Sequence, residues 1–166
     1  VTFTNNATNT AAMRMASTDG DIFEKDITCN TTTGYIQLAY ADTTDIYGNI
    51  SINNTKANFN SGTGYTRFVG SATQTLTGSA NYSIGKFIIH KTAGNITLAK
   101  QVTVDSLINL TKGHIASSTT NLLVVKASCT LSGGTNESYI KGPLLRYGST
   151  TFTYPLGSDE KFRPIT

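Results

Sequence analysis

The chain has 166 residues, of which 38% are hydrophobic and only 14% are charged, and its net charge at pH 7 is +3. Soluble domains usually carry about 25% charged residues, and here uncharged polar residues replace them, chiefly 29 threonines and 14 asparagines. The basic residues, Arg67 and Lys91 among them, stand singly. This argues against nucleic-acid binding and favours isolated lysines at solvent-exposed strand edges. No apolar stretch approaches the ~20 residues of a membrane-spanning helix.

Short runs of alternating apolar and polar residues recur from the first residues onward, separated by turns rich in Gly and Asn. In chain order these runs cover residues 1–10, 27–30, 35–38, 50–53, 75–77, 87–89, 102–104 and 122–125. Alternation over such short lengths, bounded by turn residues, predicts strands and not helices. The continuous apolar run at 122–125 predicts a strand that is buried on both faces.

Two internal repeats indicate how the strands are arranged. The segment 21–30 recurs 24 residues later as the segment 45–53, with a one-residue slip between its halves, and the segment 87–98 recurs about 20 residues later as 107–115. Repeats of this length, made of strands and turns, predict a parallel β-solenoid of five to seven stacked coils of about 20–24 residues. The alternative fold is a β-sandwich, which is also built from short strands.

The composition changes at Tyr139, because all three prolines of the chain follow it: Pro143, Pro155 and Pro164. We therefore predict a β-solenoid repeat region at 1–138. Residues 139–166 are predicted to form a β cap or linker, or the start of a following β domain. Both ends read as though cut from a longer chain.

Long stretches of this type suggest a family. The segments VTFTNNATNT, DIYGNISINNTKANFNSGTG, LTKGHIASSTTNLLVV and SYIKGPLLRYGSTTFTYPLGSDEKFRPIT resemble the large repetitive cell-surface and secreted β-repeat proteins of Bacteroidetes. The resemblance implies an extracellular, adhesin-like protein, often exported by the type IX route. It implies a structural repeat module of a filament or adhesin, whose partners are further copies or neighbouring modules of the same protein. It gives no catalytic residue.

One acidic cluster could bind a metal ion. Asp19, Asp21, Glu24 and Asp26 lie within eight residues of the sequence, and Ca²⁺ takes six to eight oxygen ligands. The cluster lacks the glycine and the final glutamate of an EF-hand loop. It is therefore a weak calcium candidate, and the alternative is an exposed turn before the strand at 27–30.

Two further kinds of site concern sugars. Thr43 and Ser106 each follow an aspartate in a pattern that resembles the O-glycosylation signal of the same phylum; the alternative is a chance match in a threonine-rich chain. Five tyrosines are candidates for contact with surface glycans, or for packing within the strands: chiefly Tyr35, Tyr40 and Tyr65, and also Tyr47 and Tyr82. They support the alternative function, a carbohydrate-binding module of a secreted multidomain protein.

No constellation for catalysis is evident. The two histidines, His90 and His114, have no nucleophile elbow near them in the sequence, so we predict that the protein is not an enzyme and needs no cofactor. Cys29 and Cys129 form no CxxC pair. Since they would lie several coils apart, we predict two separate, buried thiols.

Overall fold

The computed structural model describes residues 1–5, 12–14, 19–31, 35–53, 57–58 and 63–166. The secondary structure of this part is entirely β, and no helix in it is long and apolar enough to cross a membrane. Its strands are β1 (Thr2–Asn5), β2 (Ala12–Arg14), β3 (Asp21–Phe23), β4 (Ile27–Thr31), β5 (Tyr35–Gln37), β6 (Thr43–Ile46), β7 (Ile50–Ile52), β8 (Ala57–Asn58), β9 (Tyr65–Phe68), β10 (Gln74–Gly78), β11 (Tyr82–Leu98), β12 (Val102–Ala116), β13 (Leu123–Val125), β14 (Thr130–Gly133), β15 (Ile140–Lys141), β16 (Leu144–Arg146), β17 (Gly157–Ser158) and β18 (Lys161–Phe162).

The strands stack in three parallel columns. Column A contains β1, β4, β7, β10, the ends of β11 and β12, and β15. Column B contains two sets of strands: β2, β5 and β8 form a separate three-stranded sheet, and further along the chain come the starts of β11 and β12, then β13 and β16. Column C contains β3, β6, β9, the middles of β11 and β12, and β14.

This arrangement is a parallel β-solenoid of about five turns, as predicted from the repeats. Paired residues in adjacent coils are 19 residues apart at the closest, for Ile96 and Ile115, and 26 at the widest, for Ile50 and Leu76. Because the stacked pairs are parallel, the β-sandwich alternative, which needs antiparallel sheets, does not hold.

The register corrects one detail of the predicted repeat. Ile22 pairs with Asp45, and Phe23 with Ile46, so this strand is offset by 23 residues, as is the pair Ile27 and Ile50. The predicted one-residue slip is therefore wrong. Burial explains the register, because Phe23 and Ile46 both point into the core while Ile22 is 68% exposed.

The core runs along the inside of the columns. In column A, Ile27, Ile50, Leu76 and Leu98 pair in sequence along the stack, and all four are at most 3% exposed. A single coil could not bury these side chains alone, so the stacking of neighbours creates the core. The β13 residues are all buried, which confirms the prediction for 123–125, whereas Leu122 at the start of the apolar run is half-buried.

The two cysteines are free and buried, as predicted. Burial raises the pKa of the Cys29 thiol to about 12. For the Cys129 thiol, burial is again the largest cause, and its pKa rises to about 11. Both thiols are therefore protonated near neutral pH, and they act as small apolar side chains.

Two threonines interrupt the apolar interior. Thr44 and Thr66 pair in column C, are at most 1% exposed, and their hydroxyls have no hydrogen-bond partner. A buried hydroxyl without a partner costs free energy that a methyl group in the same place does not.

Replacing Thr66 by valine should therefore raise the free energy of unfolding, by about 1 kcal/mol. Urea unfolding followed by circular dichroism measures the change. The control is Thr75→Val on the half-buried outward side of β10, which should shift stability by less than about 0.5 kcal/mol. Destabilisation by Thr66→Val would show that the hydroxyl is satisfied in the folded protein.

The C-terminal segment differs from the coils before it. Parallel pairing continues to β16, which pairs with β13. Beyond it, β17 and β18 form an antiparallel hairpin, and Tyr154 pairs antiparallel with Ile165. Leu156 lies beside Ile140 in a parallel bridge, so this segment crosses the end of column A.

Candidate functional site: the outer faces and corners of the solenoid

Side-chain ladders connect successive coils on the outer surface. Asp45 and Arg67 occupy paired positions in column C. Arg67 Nε donates to Asp45 Oδ1 at 2.6 Å, and the second guanidinium nitrogen donates to Oδ2 at 2.7 Å. The hydrogen bonds that Arg67 donates to Asp45 raise the pKa of Arg67. The Arg67 side chain is 40% exposed, so the pair adds little stability and mainly fixes the positions of the two side chains.

Amide side chains form a second ladder along column A. Asn53 Nδ2 donates to Asn30 Oδ1 at 2.7 Å. Asn49 donates to Asp26 Oδ1 from its backbone nitrogen at 2.7 Å and from Nδ2 at 3.1 Å, and its own Oδ1 accepts from Thr75 N at 2.8 Å. Asparagine side chains thus form hydrogen bonds between adjacent coils at these corners.

Hydroxyl-bearing residues occupy the outer face of column A. Thr2, Thr28, Ser51 and Thr77 pair in sequence across four coils. The positions between them hold inward apolar side chains. The alternation therefore explains why the chain combines much threonine with a continuous core, since only one side of each strand must be apolar.

A buried lysine completes the corner between columns C and A. Lys91 is 1% exposed, and its Nζ donates to Gln74 Oε1 at 2.5 Å and to Val69 O at 3.1 Å. Gln74 Nε2 in turn donates to Ile46 O at 2.8 Å and Gly48 O at 2.9 Å. The prediction that the isolated lysines lie at exposed strand edges is wrong for Lys91, because this corner needs donors for carbonyl groups that the turns leave inside.

Burial also lowers the pKa of Lys91, to about 8, whereas an unfolded lysine titrates near 10.4. Above pH 8 the Lys91 site therefore binds more protons in the unfolded chain than in the folded chain, so its contribution to stability rises with pH, by about 1 kcal/mol between pH 8 and 9. The two buried thiols oppose this gain over the same range, since unfolded cysteine ionises at about pH 8.5. The contribution of Lys91 is therefore measured against a variant that lacks it.

Urea unfolding at pH 8 and pH 9 measures this dependence, and Lys91→Met is the control. The free energy of unfolding of the native chain, minus that of the variant, should increase from pH 8 to pH 9. A difference that stays constant over this range would mean that the Lys91 ammonium is fully charged inside the fold.

The predicted calcium cluster is not assembled. Asp19, Glu24 and Asp26 are exposed, and Asp21 is half-buried on β3. Among the described residues no three His, Cys, Asp or Glu side chains converge as metal ligands would. Asp26 instead uses Oδ1 to accept hydrogen bonds from Asn49, so the bend in the chain here has a structural explanation.

The tyrosines predicted to touch glycans are held in different ways. Tyr35 belongs to β5, and its side chain lies outside the described part. Tyr40 is half-buried. Tyr65 is also half-buried, and Lys86 Nζ lies 4.3 Å from its ring centroid, so a cation covers part of the ring. Their glycan contacts stay a prediction.

The other two candidate tyrosines differ in exposure, since Tyr82 is only 2% exposed and Tyr47 is 44% exposed. Tyr147, which was not among the candidates, is 59% exposed.

The two predicted O-glycosylation positions differ in access. Thr43 is half-buried, and its backbone nitrogen donates to Asp42 Oδ1 at 2.7 Å. Ser106 is exposed on β12, beside Asp105, whose carboxylate is 2.6 Å from Lys126 Nζ. Modification at either residue stays a prediction.

The histidines lie in different coils. His90 is exposed, whereas His114 is half-buried with its ring centroid 4.0 Å from that of Tyr139. His114 Nδ1 accepts a hydrogen bond from Tyr139 N at 3.3 Å. Burial lowers the pKa of His114. One ring nitrogen of His114 thus accepts a hydrogen bond from the backbone of the next coil.

Comparison of the chain with protein-family models, with curated proteins and with solved structures gives no match. The function is therefore argued from the solenoid itself: its columns, its outer faces and its corners.

Proposed function

We propose that this chain is a non-catalytic structural repeat module of an extracellular cell-surface filament or adhesin. The observation that carries the proposal is the stacking of successive coils through three parallel columns along one axis. Each coil hydrogen-bonds to the next at several places around its circumference. Bending the stack must therefore stretch at least one column, which favours a stiff rod.

The outer surface supports the same role. The pairs Asp45–Arg67 and Asn30–Asn53 join adjacent coils, so side chains on the outer surface also form hydrogen bonds between coils. Adjacent strands of a sheet are about 4.8 Å apart, and a module of about five turns therefore adds about 24 Å of axial length. Many such modules in series would give reach away from a cell surface.

The partners that fit this role are neighbouring modules of the same protein or further copies of it. Open ends of a solenoid are sheet edges, which pair with another strand unless they are capped. The resemblance of the sequence to repetitive surface proteins of Bacteroidetes supports the extracellular location and the export that this role requires.

Antibody labelling of intact cells that make the parent protein tests the proposal. An antibody against the 166-residue chain should label unpermeabilised cells, on extended surface structures visible by electron microscopy. An antibody against a cytosolic protein is the control for cell integrity. Labelling that needs permeabilisation would contradict the extracellular role.

A further inference from the structure

An exposed aromatic ring lies just after the C-terminal end of strand β6 in column C, where the chain turns toward column A. Tyr47 directly follows β6, and its backbone nitrogen donates to Phe23 O of the preceding coil at 2.9 Å. The backbone at this point is therefore fixed by the stack. The side chain nevertheless remains 44% exposed, so the fold presents the ring instead of burying it.

The ring packs against small residues of the following coil. Gly70 lies so close that a Cβ there would be 3.0 Å from Tyr47 Cδ1, so one side of the ring contacts this coil, and Ser71 and Ala72 follow Gly70. Beside the ring lies a groove of about 520 Å³, which Tyr47 lines together with Asp45, Arg67 and His90. A second depression of about 460 Å³ is also lined by Tyr47, together with Glu24, Asp26 and Asn49.

The polar groups of the groove are fixed in place and nearly neutral in sum. The Asp45 carboxylate and the Arg67 guanidinium hold each other through two hydrogen bonds. Each still has lone pairs or N–H groups for a ligand. The charges of Asp45 and Arg67 cancel, and the neighbouring depression combines acidic Glu24 and Asp26 with basic Lys25, so the surface has no charge excess that would select a strongly charged ligand.

This combination matches the chemistry of a sugar. A pyranose ring has an apolar C–H face that packs on an aromatic ring, and a rim of hydroxyls that both donate and accept hydrogen bonds. Ligand sites pair apolar or aromatic surface with a few fixed polar groups, and tyrosine offers a rigid ring at small cost in side-chain entropy.

We propose that the groove beside Tyr47 binds a neutral oligosaccharide, with the Tyr47 ring as the stacking platform and Asp45 and Arg67 as hydrogen-bonding partners of its hydroxyls. The site goes beyond the proposed structural role, since it gives the side of the rod a specific ligand. Of the five tyrosines that the sequence suggested, Tyr47 is the one whose ring is exposed in the described part of the structure. The two depressions that Tyr47 lines offer room for more than one sugar ring.

A glycan array that displays neutral tri- to hexasaccharides of glucose, galactose, mannose and N-acetylglucosamine tests the site on the 166-residue chain. Sialylated and sulfated glycans and a single-stranded oligonucleotide are included as anionic probes. We expect saturable binding to at least one neutral saccharide, and calorimetry on that saccharide then gives its Kd.

Substitutions of Tyr47 test whether its ring contributes to saccharide binding. Tyr47→Ala should weaken binding by about tenfold or more, whereas Tyr47→Phe should retain most of it because the ring remains. Tyr147→Ala is the matched control, an exposed tyrosine elsewhere, and should bind like the native chain. Circular dichroism confirms that each variant folds.

Three results would overturn the site: no binding to any neutral saccharide, binding that Tyr47→Ala leaves unchanged, or preferential binding of the anionic probes. None of them bears on surface labelling of intact cells, so failure of the sugar site and failure of the structural role are separate outcomes.

Discussion

Replacing Gly78 by alanine is expected to lower the free energy of unfolding by more than about 4 kcal/mol. Gly78 has φ of +121° and pairs with Ile52 in the preceding coil. A Cβ at this position would be 2.1 Å from Ile52 O and 2.6 Å from Ile52 N. Both atoms belong to the backbone of a stacked strand, so they cannot move without breaking the column. Urea unfolding measures the loss.

Gly148→Ala is the matched control for this prediction. Gly148 has nearly the same φ, +124°, but the nearest atoms to an added Cβ are the Ala127 Cβ at 3.1 Å and a guanidinium nitrogen of Arg146 at 3.2 Å. This variant therefore reports mainly the conformational cost, about 1–3 kcal/mol. Equal losses for the two variants would show that column A does not pack as closely as described.

Replacing Phe87 by alanine should cost about 3–5 kcal/mol of unfolding free energy. Phe87 is fully buried and lies edge-on to Phe68 of the preceding coil, with ring centroids 5.1 Å apart. It also pairs with Ile108 of the following coil. Because repeats are stabilised by their neighbours, a cavity here should weaken the coils on both sides, and hydrogen exchange can locate that effect.

The control for this variant is Ile88→Ala, in the next position of the same strand. Ile88 points to the other side of the sheet and is only partly buried, so its loss should cost clearly less than that of Phe87. A cost for Phe87→Ala no larger than that for Ile88→Ala would contradict the assignment of the core face.

The fold could be predicted because strand period and repeat period are both visible in the sequence. Inward apolar positions alternate with outward threonine, serine and asparagine, and turn residues follow each run. The register of individual strands was harder to predict. The similarity of 21–23 to 45–47 suggested the wrong offset, because it matched identical or similar residue types. The fold instead pairs Phe23 with Ile46, since both side chains are buried.

The corner network could not be predicted from the sequence. A single lysine between polar residues reads as solvent-exposed, and nothing local shows that Lys91 will meet Gln74, which lies 17 residues earlier. The contact exists only because coils of unequal length bring their corners together. A glutamine inside an alternating strand, at a position that should be apolar, was the available signal.

The sequence offered Tyr47 as one of five candidate tyrosines but did not show which of them the fold would expose. The alternation of β6 places Thr44 and Ile46 inside, but Tyr47 lies beyond the strand, where the period of two no longer applies. Gly70 and Ser71 of the next coil line the groove beside it. Such a site arises from stacking, and a linear pattern does not show which corner will leave room.

Electron cryo-microscopy of the protein isolated from cells that make it tests the proposed structural role most directly, since it shows whether the coils continue from module to module. We predict extended rods with a repeat of about 4.8 Å along their axis, in which this chain fits as one segment of a continuous stack. Discrete particles without an axial repeat, or rods whose strands run along the axis, would contradict the proposed structural role.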